Sequence, residues 1–304
     1  MRCALHIAAT VFATTISAPC LALPFFFSTG NPDGLLASAS RPGSAGVLET
    51  ESADDFVITA TTSLTSATFT GLLTGGATTA DIGDVVVEIY RVFPNDSDVG
   101  RTSGPPIFST NQVPTRVNSP SDVAFDDRDF GAGTLSFQCT TITDSFTANN
   151  SVINGINPIP NQATLGEGPV TGQEVQCSVT FTTPFTLPPD HYFFVPQVGV
   201  TGGDFLWLSA PRPILSPGTP FPAGFTDLQS WIRNANLDPD WLRIGTDITH
   251  QGPFNAAFSL TGNTIPEPAT LTLLAVGLAG IGFALRRSQL VDARQSGVPA
   301  SRLR

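Results

Sequence analysis

Ala269 to Leu285 is a run of 17 uncharged residues near the end of a 304-residue chain, followed directly by Arg286 and Arg287. At about 1.5 Å per residue a helix of that length spans roughly 25 Å. That is slightly short of the roughly 30 Å hydrocarbon core of a bilayer, so the run predicts a short transmembrane helix over about 269–285. Gly277, Gly280 and Gly282 dilute its apolar character but allow a partner helix to approach closely. Arginine beside a span is retained on the cytoplasmic side, so everything ahead of the run is expected outside. The other end of the chain agrees. Met1-Arg2, a largely apolar stretch from Ala4 to Ala18 and the small residue Ala22 predict a signal peptide over 1–22, cut by signal peptidase after Ala22.

Charge divides along the same lines. Residues 23–265 hold 8 arginines and 23 acidic residues, a net of −15, whereas the segment after Leu285 holds 5 arginines and one aspartate, a net of +4. Acid outside and base inside fits the orientation set by the span. An acidic body repels phosphate backbones, which argues against nucleic acid as a partner.

Pro266-Glu267-Pro268, the short apolar run and the Arg286-Arg287 pair together resemble the PEP-CTERM sorting signal of exported proteins in Gram-negative bacteria. The resemblance covers residues 264–287. It implies export, transient anchoring in the inner membrane, recognition and cleavage at Pro266-Glu267-Pro268 by the peptidase-like membrane enzyme exosortase, and delivery to the cell surface or an exopolysaccharide matrix. The signal usually ends the chain soon after its arginines, whereas Ser288 to Arg304 continue here as a basic tail.

Between the targeting segments, low charge, abundant Thr, Ser, Gly and Pro, and short alternating runs predict an all-β fold. The expected architecture is an antiparallel β-sandwich of jelly-roll type over 23–262, with 263–287 as the sorting signal and 288–304 as the tail. Asp54-Asp55 precedes a strand over Phe56–Thr62, which reads as a hairpin or meander with Thr65–Leu72. Val85–Phe93 is apolar on both faces and predicts a central strand. Tyr192–Val200 and Phe205–Ala210 read as a further hairpin. Leu228, Trp231, Ile232 and Ala235 fall at helical spacing behind Thr226 and Gln229, predicting one short helix. Gly262 to Ile265 reads as a tether.

Cys139 and Cys177 remain after signal-peptide removal, each on the apolar face of an alternating strand. An even pair in an oxidising compartment predicts a disulfide, between neighbouring strands or across the sandwich; two buried thiols are the alternative.

The residues that could carry chemistry are few. There is no Gly-x-Ser-x-Gly elbow, and neither His191 nor His250 has a sequence-adjacent nucleophile. Asp126, Asp127 and Asp129 are candidates for a weak calcium site, against a solvated acidic loop. Trp241 is the candidate for stacking on a sugar ring, against burial. The expected role is structural or binding, associated with extracellular polysaccharide; the alternative is a secreted polysaccharide-active hydrolase.

Overall fold

Alternation of apolar with Ser and Thr residues dictates strands, because successive side chains of an extended chain point to opposite faces. A computed structural model describes residues 22–44, 46–101, 112–156, 163–266 and 277–281. Residues 23–265 form one unit. Its strands are β1 (Pro24–Ser28), β2 (Leu36–Ala39), β3 (Thr50–Ile58), β4 (Thr62–Leu73), β5 (Ile82–Arg91), β6 (Asp126–Asp129), β7 (Leu135–Ala148) and β8 (Asn150–Val152). They continue with β9 (Val170–Leu187), β10 (Asp190–Val200), β11 (Phe205–Ala210), β12 (Trp231–Asn234), β13 (Leu242–Arg243), β14 (Asn255–Ala256) and β15 (Phe258–Thr264).

Two sheets result. The first runs β1-β15-β4-β11-β2-β8, with β9 and then β7 along the other edge of β4 and β14 beside β11. The second runs β13-β12-β3-β10-β5-β6. The main core lies between them and takes Phe69, Trp207 and Phe258 from the first sheet and Phe56, Val87, Ile89 and Phe194 from the second. Phe194 stacks on Phe258 at 5.1 Å between ring centroids and meets Trp207 edge-on. The protein is thus an all-β sandwich, with one parallel pair, β2 and β8, among antiparallel ones. As its apolar faces demand, β5 is an inner strand, flanked by β10 and β6.

Cys139 and Cys177 stand directly opposite one another on β7 and β9 and are joined by a disulfide. Of the alternatives open to the sequence, the bridge links neighbouring strands.

Three local expectations are corrected. The supposed hairpins are crossings: β3 and β4 lie in different sheets, and so do β10 and β11. Gly202, at φ +77°, turns the chain between β10 and β11, and a side chain at Gly203 would collide with the Thr74 carbonyl. The helix over Thr226–Ala235 does not form. Trp231–Asn234 pairs with Ala53 to Thr50 instead, because one short helical stripe offers less than a strand ladder that buries both faces. Gly262 to Thr264 is no tether but the end of β15, paired with β4.

Signal-peptide residues 1–21, Glu267, Pro268, Arg286, Arg287 and the tail lie outside the described residues. Of the predicted span only Gly277–Ile281 is described, and it is helical. Among the described residues no helix is long and apolar enough to cross a membrane.

Candidate functional site

The last residues of the body before the Pro-Glu-Pro element are tied into the first sheet. β1 pairs with β15 from Pro24↔Asn263 to Ser28↔Ser259. Beyond that ladder the Leu23 N–H donates to Thr264 Oγ1 at 2.9 Å, and the Thr264 N–H donates to the Leu23 carbonyl at 2.8 Å. The Ile265 N–H donates to the Thr61 carbonyl at 2.7 Å. Pro266 has no N–H and ends the bonding. Leu23, which follows the predicted signal-peptidase cut, and Thr264, two residues before the Pro-Glu-Pro element, are therefore held side by side, and Ile265 alone separates β15 from the motif's first proline.

A second polar region lies on the outer face of the second sheet, covered by the segments that carry Asp122, Asp238 and Trp241. Glu51 on β3 faces Arg233 on β12; the Arg233 Nη2 group donates to Glu51 Oε1 at 3.1 Å and to the Tyr90 hydroxyl oxygen at 2.7 Å, and its Nε donates to Glu51 Oε2. The Tyr90 hydroxyl lies 2.9 Å from Glu51 and 3.3 Å from Glu88. Burial disfavours ionising Glu51, but the Arg233 guanidinium outweighs it and holds the carboxyl below its ordinary range. Glu88 has no such cation of its own, and burial together with Glu51 pushes it up to about 9. One carboxylate and one neutral acid thus share this layer, and Glu51 is committed to the arginine fork. Beside them Arg101 bridges Asp240 at 2.7 Å and Asp122 at 3.0 Å, while Arg116 lies over the Phe93 ring at 4.4 Å. Burial and the nearby Arg101 charge lower Arg116 to about 10.

The third region joins the two sheets. Asp54 and Asp55, neighbours on β3, are both buried and point to opposite faces. Asp54 accepts from the Ser230 hydroxyl at 3.0 Å and the Ala256 N–H at 2.8 Å, yet burial and the adjacent Asp55 raise its carboxyl well above the usual range. Asp55 accepts from the Leu228 N–H at 3.0 Å, and its Oδ2 lies 2.6 Å from His191 Nε2. Burial raises Asp55 too, against the pull of His191. Next to Leu228 opens a pocket of about 270 Å³, with Asn118, Arg212, Asp227, Gln229, Trp231 and Arg243 in its wall. Among the described residues eight buried side-chain polar atoms lack a hydrogen-bond partner, and four of them crowd this neighbourhood: Asp55 Oδ1, Asp227 Oδ1, Trp231 Nε1 and Asn255 Oδ1. Such atoms are costly, and their concentration in one place asks for a physical reason.

The candidates named from sequence sit elsewhere. Asp126, Asp127 and Asp129 are in strand β6, not in a loop, because Arg128 pins the segment: its guanidinium lies 4.1 Å over the Phe185 ring and donates to Asp126 at 2.7 and 3.0 Å. Asp129 Oδ1 accepts from the Gly131 N–H at 2.6 Å. Asp126 and Asp127 face opposite sides of the strand. Among the described residues no group of three His, Cys, Asp or Glu is placed to hold a metal ion. Trp241 is 1% exposed, donates its N–H to the Ser121 carbonyl at 3.1 Å and lies 4.4 Å under the Arg233 guanidinium. The loop that covers it removes it as a surface platform. The sequence drew no attention to Glu51, Glu88, Asp227 or Arg233, since each acquires its role from a partner distant in the chain.

The PEP-CTERM protein-sorting motif model matches residues 264–288, the stretch that starts at the last residue of β15. Comparison with curated proteins and with solved structures returns no match. The motif and the β-rich body define an exported protein sorted by exosortase through a membrane-anchored intermediate. More particularly, the chain carries a PEP-CTERM protein-sorting motif behind a disulfide-bridged β-sandwich.

Proposed function

We propose that the sandwich is a non-catalytic binding module of the cell surface or extracellular matrix, holding polysaccharide there. Signal peptidase frees its N-terminus at Leu23, and exosortase acts at the Pro-Glu-Pro element once the body stands outside. The observation that carries the binding reading is the pocket of about 270 Å³ beside Leu228, walled by the polar side chains of Asn118, Arg212, Asp227, Gln229 and Arg243. The commitment of Glu51 to Arg233 supports binding over hydrolysis, because that carboxylate has no freedom to serve as base or nucleophile. The test is incubation of the purified full chain with exopolysaccharide from the producing cells, scoring both retention and polymer length. Retention with unchanged length is expected; shortening of the polymer would overturn the non-catalytic reading, and no retention would overturn the binding one.

A further inference from the structure

The outward side of the first sheet repeats one chemistry across five strands. Along β9 the core takes Cys177, Val179 and Phe181, so Ser178 and Thr180 between them point to solvent. The strand registers carry the pattern sideways: Phe26, Thr261, Ser66, Thr180 and Ser136 stand in one row from β1 to β7. Ser259, Thr68, Ser178 and Gln138 form the next row. Each of these side chains is exposed or half-buried, and Phe26 is 56% exposed. Neighbouring strands lie about 4.8 Å apart, so a row across five of them spans roughly 19 Å, room for a chain of linked sugar rings.

Neither row holds a charged side chain, although residues 23–265 carry a net charge of −15. The body repels a polyanion, and these rows hold no cation to bind one. They present hydroxyls and an amide, which both donate and accept, beside one bare aromatic ring. A neutral polysaccharide is the complement of that set, because its hydroxyls need partners of both kinds and its C–H faces pack on aromatic rings. The rows are also fixed before any ligand arrives. Thr68 Oγ1 and Ser259 Oγ lie 2.6 Å apart across β4 and β15, and the Cys139–Cys177 disulfide ties β7 to β9 next to the second row. A platform already held in place loses little freedom on binding.

We propose that this face binds an extended, neutral polysaccharide laid along the rows, with Phe26 packing on a sugar ring and the Thr, Ser and Gln138 side chains bonding its hydroxyls. The face shares no residue with the pocket beside Leu228, and it rests on the polysaccharide-binding reading above while fixing the polymer as uncharged.

The test mixes the full chain, in a non-glycosidic detergent, with an insoluble neutral β-linked glucan and measures the protein left in solution. Retention is expected, weakened about ten-fold by Phe26→Ala and roughly a hundred-fold by Thr180→Glu, whose carboxylate would be desolvated without a partner. Thr180→Ser keeps the hydroxyl and is expected to bind as the unchanged chain does. So is Ala235→Glu, which adds the same charge at an exposed position outside the face. Phe26 and Thr180 are both exposed, so melting temperatures are expected to stay level. Retention on a polyuronate but not on the glucan would overturn the ligand class. Failure to hold the glucan, or variants that hold it as the unchanged chain does, would overturn the face. So would a change in sedimentation of the chain alone on Thr180→Glu, since the face would then join two copies. If the chain in those cases still retained the exopolysaccharide of the producing cells, the broader binding reading would stand and only this face would fall.

Discussion

The two faces of the second sheet are made by the same strands and follow opposite rules. On the inner face Phe56, Val87, Ile89 and Phe194 meet the first sheet through hydrocarbon, with buried Asp54 bonded to the Ala256 N–H beside them. On the outer face, one residue along, Glu51, Glu88 and Arg233 are covered by loops and hold one another by charge. Burial on the inner face stabilises in proportion to area, so small losses there cost little. On the outer face the ions repay their desolvation only as a set, so removing one leaves another stranded.

That contrast is broken most severely at Arg233. Replacing it as Arg233→Met leaves Glu51 buried without its cation and is expected to cost about 3–5 kcal/mol in urea unfolding. The paired change Arg233→Met with Glu51→Leu is expected to recover most of that loss; if the double variant is as unstable as the single one, the outer face is held by packing and not by charge.

A pH series separates the faces next. Glu88 is raised from its ordinary value of 4.5 to about 9, so between those limits the unfolded chain has released a proton that the folded chain still holds. Stability from this group is therefore fully present below about 4.5 and is lost as pH rises toward about 9. Asp54, raised by burial on the inner face, acts in the same direction, so the part of the slope that Glu88→Gln removes, and not the whole slope, reports the outer face. Glu88→Gln should flatten the decline in urea-unfolding free energy across that window, by on the order of 2 kcal/mol once solvent contact is discounted. An unchanged slope would place the titration elsewhere.

The smallest effect is expected inside. Ile89→Val removes one methylene from the inter-sheet core and should cost about 0.5–1.5 kcal/mol with no pH dependence. A loss several times larger would mean that the inner face is as brittle as the outer one.

The same contrast governs what could be read from the sequence. The inner face writes a period of two into the chain, so Leu135–Cys139 and Val175–Phe181 announce their strands, and the cysteines their shared apolar face. Which sheet each strand joins is decided by crossings at turns such as Gly202-Gly203, and local pattern carries no trace of them. Trp231 and Ile232 look like a helical stripe only because a strand covered on both faces needs apolar residues on both. Arg233, Glu51 and Asp227 are ordinary surface residues by type, and their burial follows from loops folding over them from far along the chain. The sorting motif was legible because its parts are contiguous, whereas its lack of a spacer depends on β15 finding β1 and β4.

A disulfide-bridged sandwich that is carried outside and released from its targeting ends must be found at the cell surface in shortened, oxidised form. Mass spectrometry of the protein recovered from the outer surface of producing cells tests it most directly. A polypeptide that starts at Leu23, stops near Pro266-Glu267-Pro268 and carries Cys139 linked to Cys177 is the predicted result. Recovery of the whole 304-residue chain, with both thiols free and in the soluble cell interior, would contradict it.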